Sequence, residues 1–243
     1  MNKEIILLHG LNNCVNCFYP LGTELEKHGF KVHYFTLKGH DKVATDLCVA
    51  SCLDHLKQQF DTLPEDREYI LIGFSFGGLS SLMLPAEIKQ KISKQILLAP
   101  ALFLNWERSL RILLNCLKFK IHFPSFTPEK LRQFHHLPLG YYRSLISHLD
   151  QFRQIPGKEL NDKPTLIILD LHDELVNSSK IQKMIHNYKL KNWNVLELNR
   201  VKLGSPWQAT NHALFHPDYM DSADWNSMIE IMVGYINQSP PKE

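Results

Sequence analysis

Ten residues constrain this chain more than any others: Tyr69-Ile70-Leu71-Ile72-Gly73-Phe74-Ser75-Phe76-Gly77-Gly78. The first four are aromatic or aliphatic with no polar break and read as a buried strand, while residues 79–84 are helix-friendly. Between them lies G-x-S-x-G. A strand that turns sharply into a helix forces its turn residue into strained backbone space, where bulky neighbours would collide. Gly73 and Gly77 remove those neighbours, so Oγ of Ser75 is expected to stand exposed above the sheet edge. The N-terminus of the following helix would favour an anion forming beside it. A glycine-rich turn with an incidental serine is the competing explanation, and the remaining chain has to decide.

With 243 residues the chain fits one domain, or a domain carrying a sizeable insertion. That length can bury ~70–75% of the unfolded surface without disulfide or metal staples. A formal charge of +2 is too small to suggest nucleic acid as a partner. Met1-Asn2-Lys3-Glu4 runs straight into residues 5–8, an apolar run too short for a signal core or a membrane span. A cytoplasmic protein with reduced thiols and no integral membrane segment is therefore expected. Cys14-x-x-Cys17 and the pair Cys48 and Cys52 could together hold zinc. Helical spacing of the second pair favours buried, reduced cysteines packing as small hydrophobes instead.

Taken in order, residues 5–8 form a strand that ends in His9-Gly10-Leu11-Asn12-Asn13. A helix over 19–28 and a strand over 30–36 follow, the latter closed by Lys38-Gly39-His40. Residues 45–63 read as an amphipathic helix with Leu47, Ala50, Leu53, Leu56, Phe60 and Leu63 on one face. After the Ser75 helix, which Pro85 limits, comes a strand over 95–99. The alternation resumes with a strand at 165–170, a helix at 178–189, a strand at 194–198 and a helix at 223–236 capped by Ser222. Six strands alternating with helices imply an α/β fold, a mostly parallel sheet covered on both faces. Ligands bind beyond the carboxyl ends of such strands, where Ser75, His9-Gly10, Gly39-His40 and Asp173 all fall.

Between residues 101 and 163 the strand rhythm breaks off, with helices expected over 106–119, 127–134 and 139–152. Residues 101–160 carry nine lysines and arginines against four acidic residues, a net of +5 that exceeds the charge of the whole chain. A solvated helical surface is the default meaning. Recognition of an acidic partner by Arg108, Arg111, Lys118, Arg132, Arg143 and Arg153 is the alternative. Apolar residues such as Trp106, Leu110 and Leu114 exceed what one buried helix face needs, and are expected to bind substrate as an acyl wall over Ser75.

A serine hydroxyl needs a base to take its proton, and the base needs a carboxylate to fix its tautomer. His212 lies on the loop before the final helix, with His216 as its rival. Asp173 lies on the loop one strand earlier, with Asp170 as its rival. In this His-Gly turn, G-x-S-x-G, D-E-L-V and late histidine, in that order, the chain resembles the α/β-hydrolase superfamily. It is most like the small bacterial carboxylesterases and monoacylglycerol lipases.

The resemblance implies an α/β-hydrolase core from residues 1–100 and 164–243, with residues 101–163 as a helical lid. It implies Ser75 as nucleophile, Asp173 as acid and His212 as base, with backbone N–H groups of Leu11 and Phe76 forming an oxyanion hole. No metal and no organic cofactor is required. The function implied is that of a serine carboxylic ester hydrolase acting on short- to medium-chain acyl esters or monoacylglycerols. Two alternatives stand beside it: an esterase for methyl esters carried on an acidic acyl carrier protein, and a catalytically silent binding protein of the same fold. Three departures from the family pattern matter: no leading antiparallel hairpin, Asp170 in place of a glycine, and Asn211 in place of the glycine before the histidine.

Overall fold

The computed structural model describes residues 3–44, 47–117, 122–201 and 209–238. The elements run β1 (Lys3–Leu8), α1 (Tyr19–Lys27), β2 (Lys31–Phe35), α2 (Val49–Phe60), β3 (Glu68–Phe74), α3 (Phe76–Leu82), α4 (Ala86–Lys91) and β4 (Ile92–Leu98). Then come α5 (Glu107–Cys116), β5 (His122–Pro124), β6 (His136–Pro138), α6 (Leu139–Phe152) and α7 (Gly157–Leu160). The chain closes with β7 (Thr165–Asp170), α8 (Ser178–Asn187), β8 (Trp193–Leu198) and α9 (Ser222–Asn237).

Six strands form one parallel sheet in the order β2-β1-β3-β4-β7-β8. The apolar runs of β1, β3, β4 and β7 are buried along nearly their whole length, as strands covered on both faces must be. Edge strand β8 instead exposes Asn194, Val195 and Glu197. One face packs on α1 and α9 through Leu21, Leu25, Trp225 and Met228. The other packs on α2, α3, α6 and α8 through Leu56, Leu79, Leu149 and Ile181. The chain moves outward from β1 to β2 and then returns to β3, so the strand order reverses between β1 and β3. The loops leaving those two strands, which hold His9–Asn13 and Ser75, flank this switch point.

Several local expectations are corrected. Helix α2 begins at Val49 and buries Val49, Cys52, Leu56 and Phe60, leaving Ala50 exposed and Leu53 half-buried. Its cap is Cys48, and residues 45 and 46 lie outside the described residues. The expected helix at 127–134 is a single 3-10 turn, Glu129–Leu131, between the antiparallel strands β5 and β6. This stretch is tied to the distant segment after β1: Asn12 exchanges hydrogen bonds with both backbone groups of Phe134 (2.8 and 2.9 Å), and Asn13 bridges Arg132. Helix α9 is capped by Asp221, whose carboxylate accepts from Asp224 N–H, and not by Ser222.

The reduced-thiol expectation fails at one pair. Cys14 and Cys17 are joined in a disulfide, their Cα atoms brought to 5.5 Å by the tight turn that opens a 3-10 helix, Val15–Phe18. Cys48 and Cys116 are exposed free thiols and Cys52 a buried one. No helix among the described residues is long and apolar enough to cross a membrane.

Candidate active site

Ser75 occupies the single residue between β3 and α3, at φ 49° and ψ −115°. This is left-handed backbone, costly for a residue with a Cβ. The neighbouring glycines make the turn possible: a methyl on Gly77 would run into the carbonyl oxygens of Leu8 and His9, and one on Gly73 would sit 2.8 Å from Cα of Gly78. Ser75 N–H donates to Leu98 O (2.9 Å), and Ala101 N–H donates back to Ser75 O (3.0 Å), which holds the turn against β4.

Oγ of Ser75 lies 2.9 Å from Nε2 of His212, and Nδ1 of His212 lies 2.8 Å from Oδ2 of Asp173. With Nδ1–H donated to the carboxylate, Nε2 is free to accept the serine proton. Asp173 is fixed in turn because its Oδ1 accepts from Leu175 N–H and Val176 N–H, both at 2.8 Å. All three residues are buried at the carboxyl edge of the sheet.

The rivals lie elsewhere. Asp170 is fully buried, accepting from Arg200 Nε (2.6 Å) and from His172 N–H (2.7 Å). His216 packs edge-on against Tyr219 and accepts from Asp218 N–H (3.2 Å) through Nδ1.

A cleft opens over Ser75 and His212. Leu11 and Phe76 both line it, and Phe76, as first residue of α3, has no carbonyl one turn back to receive its N–H. The wall facing the serine comes from residues 101–163, through Trp106, Phe126, Leu137, Tyr142 and Leu145. An adjoining apolar alcove shares Trp106, Phe126 and Tyr142 and adds Leu110, Leu113 and Leu139. Of the three expected substrate contacts, Trp106 thus lines the cavity and Leu110 the alcove. Leu114 instead packs into the core.

Most of the basic residues of this segment are engaged internally. Arg111 pairs with Glu107 and Asp150, Arg153 pairs with Glu107, and Arg132 with Glu129. Arg143 donates to the carbonyls of Leu114 and Leu117 at the end of α5. Burial alone would raise the Glu107 carboxyl, but the Arg153 and Arg111 hydrogen bonds hold it below the usual range. Lys118 and Phe119 lie outside the described residues. No cluster of three or more histidine, cysteine or acidic residues suited to a metal ion occurs among the described residues.

His9 and His40 brace the turn beside the cavity. His9 donates through Nδ1 to Gly10 O (2.9 Å) and accepts Leu37 N–H at Nε2 (3.2 Å). His40 donates through Nδ1 to Lys38 O (3.2 Å) and accepts Asn12 N–H at Nε2 (2.9 Å). Each ring is therefore neutral, with a single tautomer suited to its partners. Burial depresses His9 to about 4, and burial together with the neighbouring His9 depresses His40 to about 3.

Below pH 6.5 the unfolded chain takes up protons that the folded chain refuses. Stability is therefore full above that pH and falls as pH drops toward 4, by about 3 kcal/mol for His9 alone. The urea midpoint is expected to decline between pH 7 and 4.5. His40→Gln, whose amide oxygen still accepts Asn12 N–H, should flatten the decline, and an unchanged slope would contradict this reading.

A family model described as the alpha/beta hydrolase fold matches residues 3–116. The monoglyceride lipase of Saccharomyces cerevisiae superposes with a TM-score of 0.75 at 14% identity, covering 97% of this chain and 87% of that one. The chain has the alpha/beta hydrolase fold. A methylesterase from Arabidopsis gives a TM-score of 0.64 at 17% identity over 96% of this chain and 98% of that one. In sequence, a chloroplastic member of the methylesterase series of Arabidopsis thaliana is 32% identical over 112 residues, 44% of this chain and 25% of its own length. The alignable part thus spans only a quarter to two fifths of the curated relatives it matches.

Proposed function

We propose that this hydrolase is a serine esterase that cleaves carboxylic esters of short- to medium-chain acids through an acyl-serine intermediate. The observation that carries the reading is the unbroken relay Ser75–His212–Asp173, at 2.9 and 2.8 Å, opening into an apolar cavity. The methylesterase and monoglyceride lipase names of its relatives support ester hydrolysis as the reaction class.

In this mechanism Ser75 Oγ attacks the ester carbonyl while His212 Nε2 accepts its proton, and Asp173 stabilises the imidazolium. The N–H groups of Leu11 and Phe76 hold the oxyanion; losing one such donor typically costs ~10²–10³ in rate. His212 then protonates the leaving alcohol. Water follows the reverse route and frees the acid. Residues 101–163 act as the lid that excludes bulk water and receives the acyl chain.

The carrier-protein alternative loses ground because Arg111, Arg132, Arg143 and Arg153 already have intramolecular partners. A silent binding protein would have no use for three aligned proton-transfer groups.

The test is a chain-length series of p-nitrophenyl esters. Each added methylene contributes up to ~0.8 kcal/mol, roughly fourfold in kcat/KM, until the apolar cavity and its alcove are filled. Activity should rise from acetate to a plateau, and Tyr142→Ala should shift that plateau. A flat profile would contradict an acyl site under the lid.

A further inference from the structure

Two groups outside the relay grip the peptide bond that leads into His212. Arg200, buried after β8, donates through Nη2 to the carbonyl of Asn211 and through Nη1 to Tyr219 O (2.7 Å). Asn211 returns a bond from its side-chain amide to Arg200 O (3.3 Å). From the opposite side, Glu174 accepts the N–H of His212 at Oε2 (3.1 Å) and the N–H of Asn211 at Oε1 (3.3 Å). The Asn211 carbonyl and the His212 N–H belong to one planar unit. Holding both of its polar ends fixes the orientation of that plane, and with it the direction in which the His212 Cα–Cβ bond leaves the chain.

Asp170 supplies the anchor. Its carboxylate ends β7 and takes Arg200 Nε at 2.6 Å, so the guanidinium is tied to the sheet while its other two nitrogens reach the carbonyls of Tyr219 and Asn211. Arginine suits this place because its planar fork serves three acceptors at once, which a lysine ammonium on a flexible stem does not reproduce.

We infer that Arg200 and Glu174, with Asp170 behind Arg200, are positioning residues that set the His212 peptide plane and so align Nε2 with Ser75. The inference deepens the esterase reading and rests on it for its kinetic consequences. Its structural consequence stands without turnover.

A buried ion pair broken on one side leaves an uncompensated charge and can unfold the protein, whereas removing both partners is often neutral. The test therefore uses the double variant Asp170→Asn with Arg200→Met, beside Arg200→Lys, Glu174→Ala and Glu174→Gln. The readouts are thermal melting, kcat and KM on a p-nitrophenyl ester, and the low-field proton NMR signal of the His212 Nδ1–H bonded to Asp173.

The double variant is expected to melt within a few degrees of the parent and keep its KM within twofold. Its kcat should fall 10- to 100-fold, and its low-field signal should broaden or vanish. Should it fail to fold, Arg200→Lys is expected to show the same split, since it keeps the charge pair but not the three-way fork. Glu174→Gln, with an amide oxygen still facing His212 N–H, should recover most of what Glu174→Ala loses.

A sharp parental NMR signal and parental kcat in the folded double or Arg200→Lys variant would overturn the inference. So would losses of kcat that only track losses of melting temperature. If the parent hydrolyses no ester yet the signal disappears as described, the esterase reading fails and the positioning role stands.

Discussion

Ser75→Ala is expected to lower kcat by a factor on the order of 10⁶ and to leave the melting temperature within a few degrees of the parent's. The rate loss is that large because the covalent route disappears entirely, leaving only oxyanion stabilisation and binding. The fold survives because Oγ contributes a hydrogen bond to His212 and little packing. Alanine also inherits the same left-handed backbone, φ 49°, so the strain of the turn is unchanged. Ser75→Gly should be equally inactive yet slightly more stable, since glycine adopts this conformation without steric cost. Single-turnover hydrolysis of a p-nitrophenyl ester is the measurement. Retention of more than about one per cent of parental kcat in a folded Ser75→Ala protein would place the nucleophile elsewhere.

Asp173→Asn and Asp170→Asn are expected to fail in opposite ways. The first loses about 10⁴ in kcat, because an amide facing Nδ1 favours the wrong tautomer of His212. It should remain stable, since its amide oxygen can still accept from Leu175 and Val176 N–H, as Oδ1 now does. Asp170→Asn leaves the Asp173–His212 bond in place but strands the Arg200 guanidinium in a buried site. Stability should drop by about 3–5 kcal/mol, the usual effect of breaking a buried pair from one side, with a much smaller loss of rate. Urea unfolding read beside kcat separates the two. Equal rate losses would return Asp170 to candidacy as the acid.

The inner strands were legible because β1, β3, β4 and β7 are apolar runs bounded by turn residues, a pattern that depends on near neighbours alone. Helix α6 was legible for the same reason, its buried stripe recurring at helical spacing from Leu139 to Phe152. The stretch after Phe126 was not. It links the paired strands β5 and β6 through a 3-10 turn, and it is tied to Asn12 and Asn13, more than a hundred residues earlier. No local periodicity carries that information.

At the candidate site, spacing pointed to the segments that hold Ser75, Asp173 and His212 but could not choose within them. Asp170, the last residue of β7, and Asp173, on the loop that follows, are three residues apart, and what separates them is where Arg200 lies. A lone arginine after an edge strand carries no sequence signal of its own. The aspartate standing where the family has a glycine was the one available hint that a buried partner had to exist. The acyl wall was read from the apolar surplus of one helix. In the fold much of that surplus packs inward, as Leu114 does, and Phe126, Leu137 and Tyr142 from separate segments complete the wall.

The central claim is that Ser75 is activated by His212, and a fluorophosphonate probe tests it most directly. With the folded parent, one equivalent should bind covalently, and peptide mapping should place it on the fragment holding Gly73 to Gly78. The Ser75→Ala and His212→Ala proteins should remain unlabelled under the same conditions. Labelling at another serine, or undiminished labelling of the Ser75→Ala protein, would contradict it.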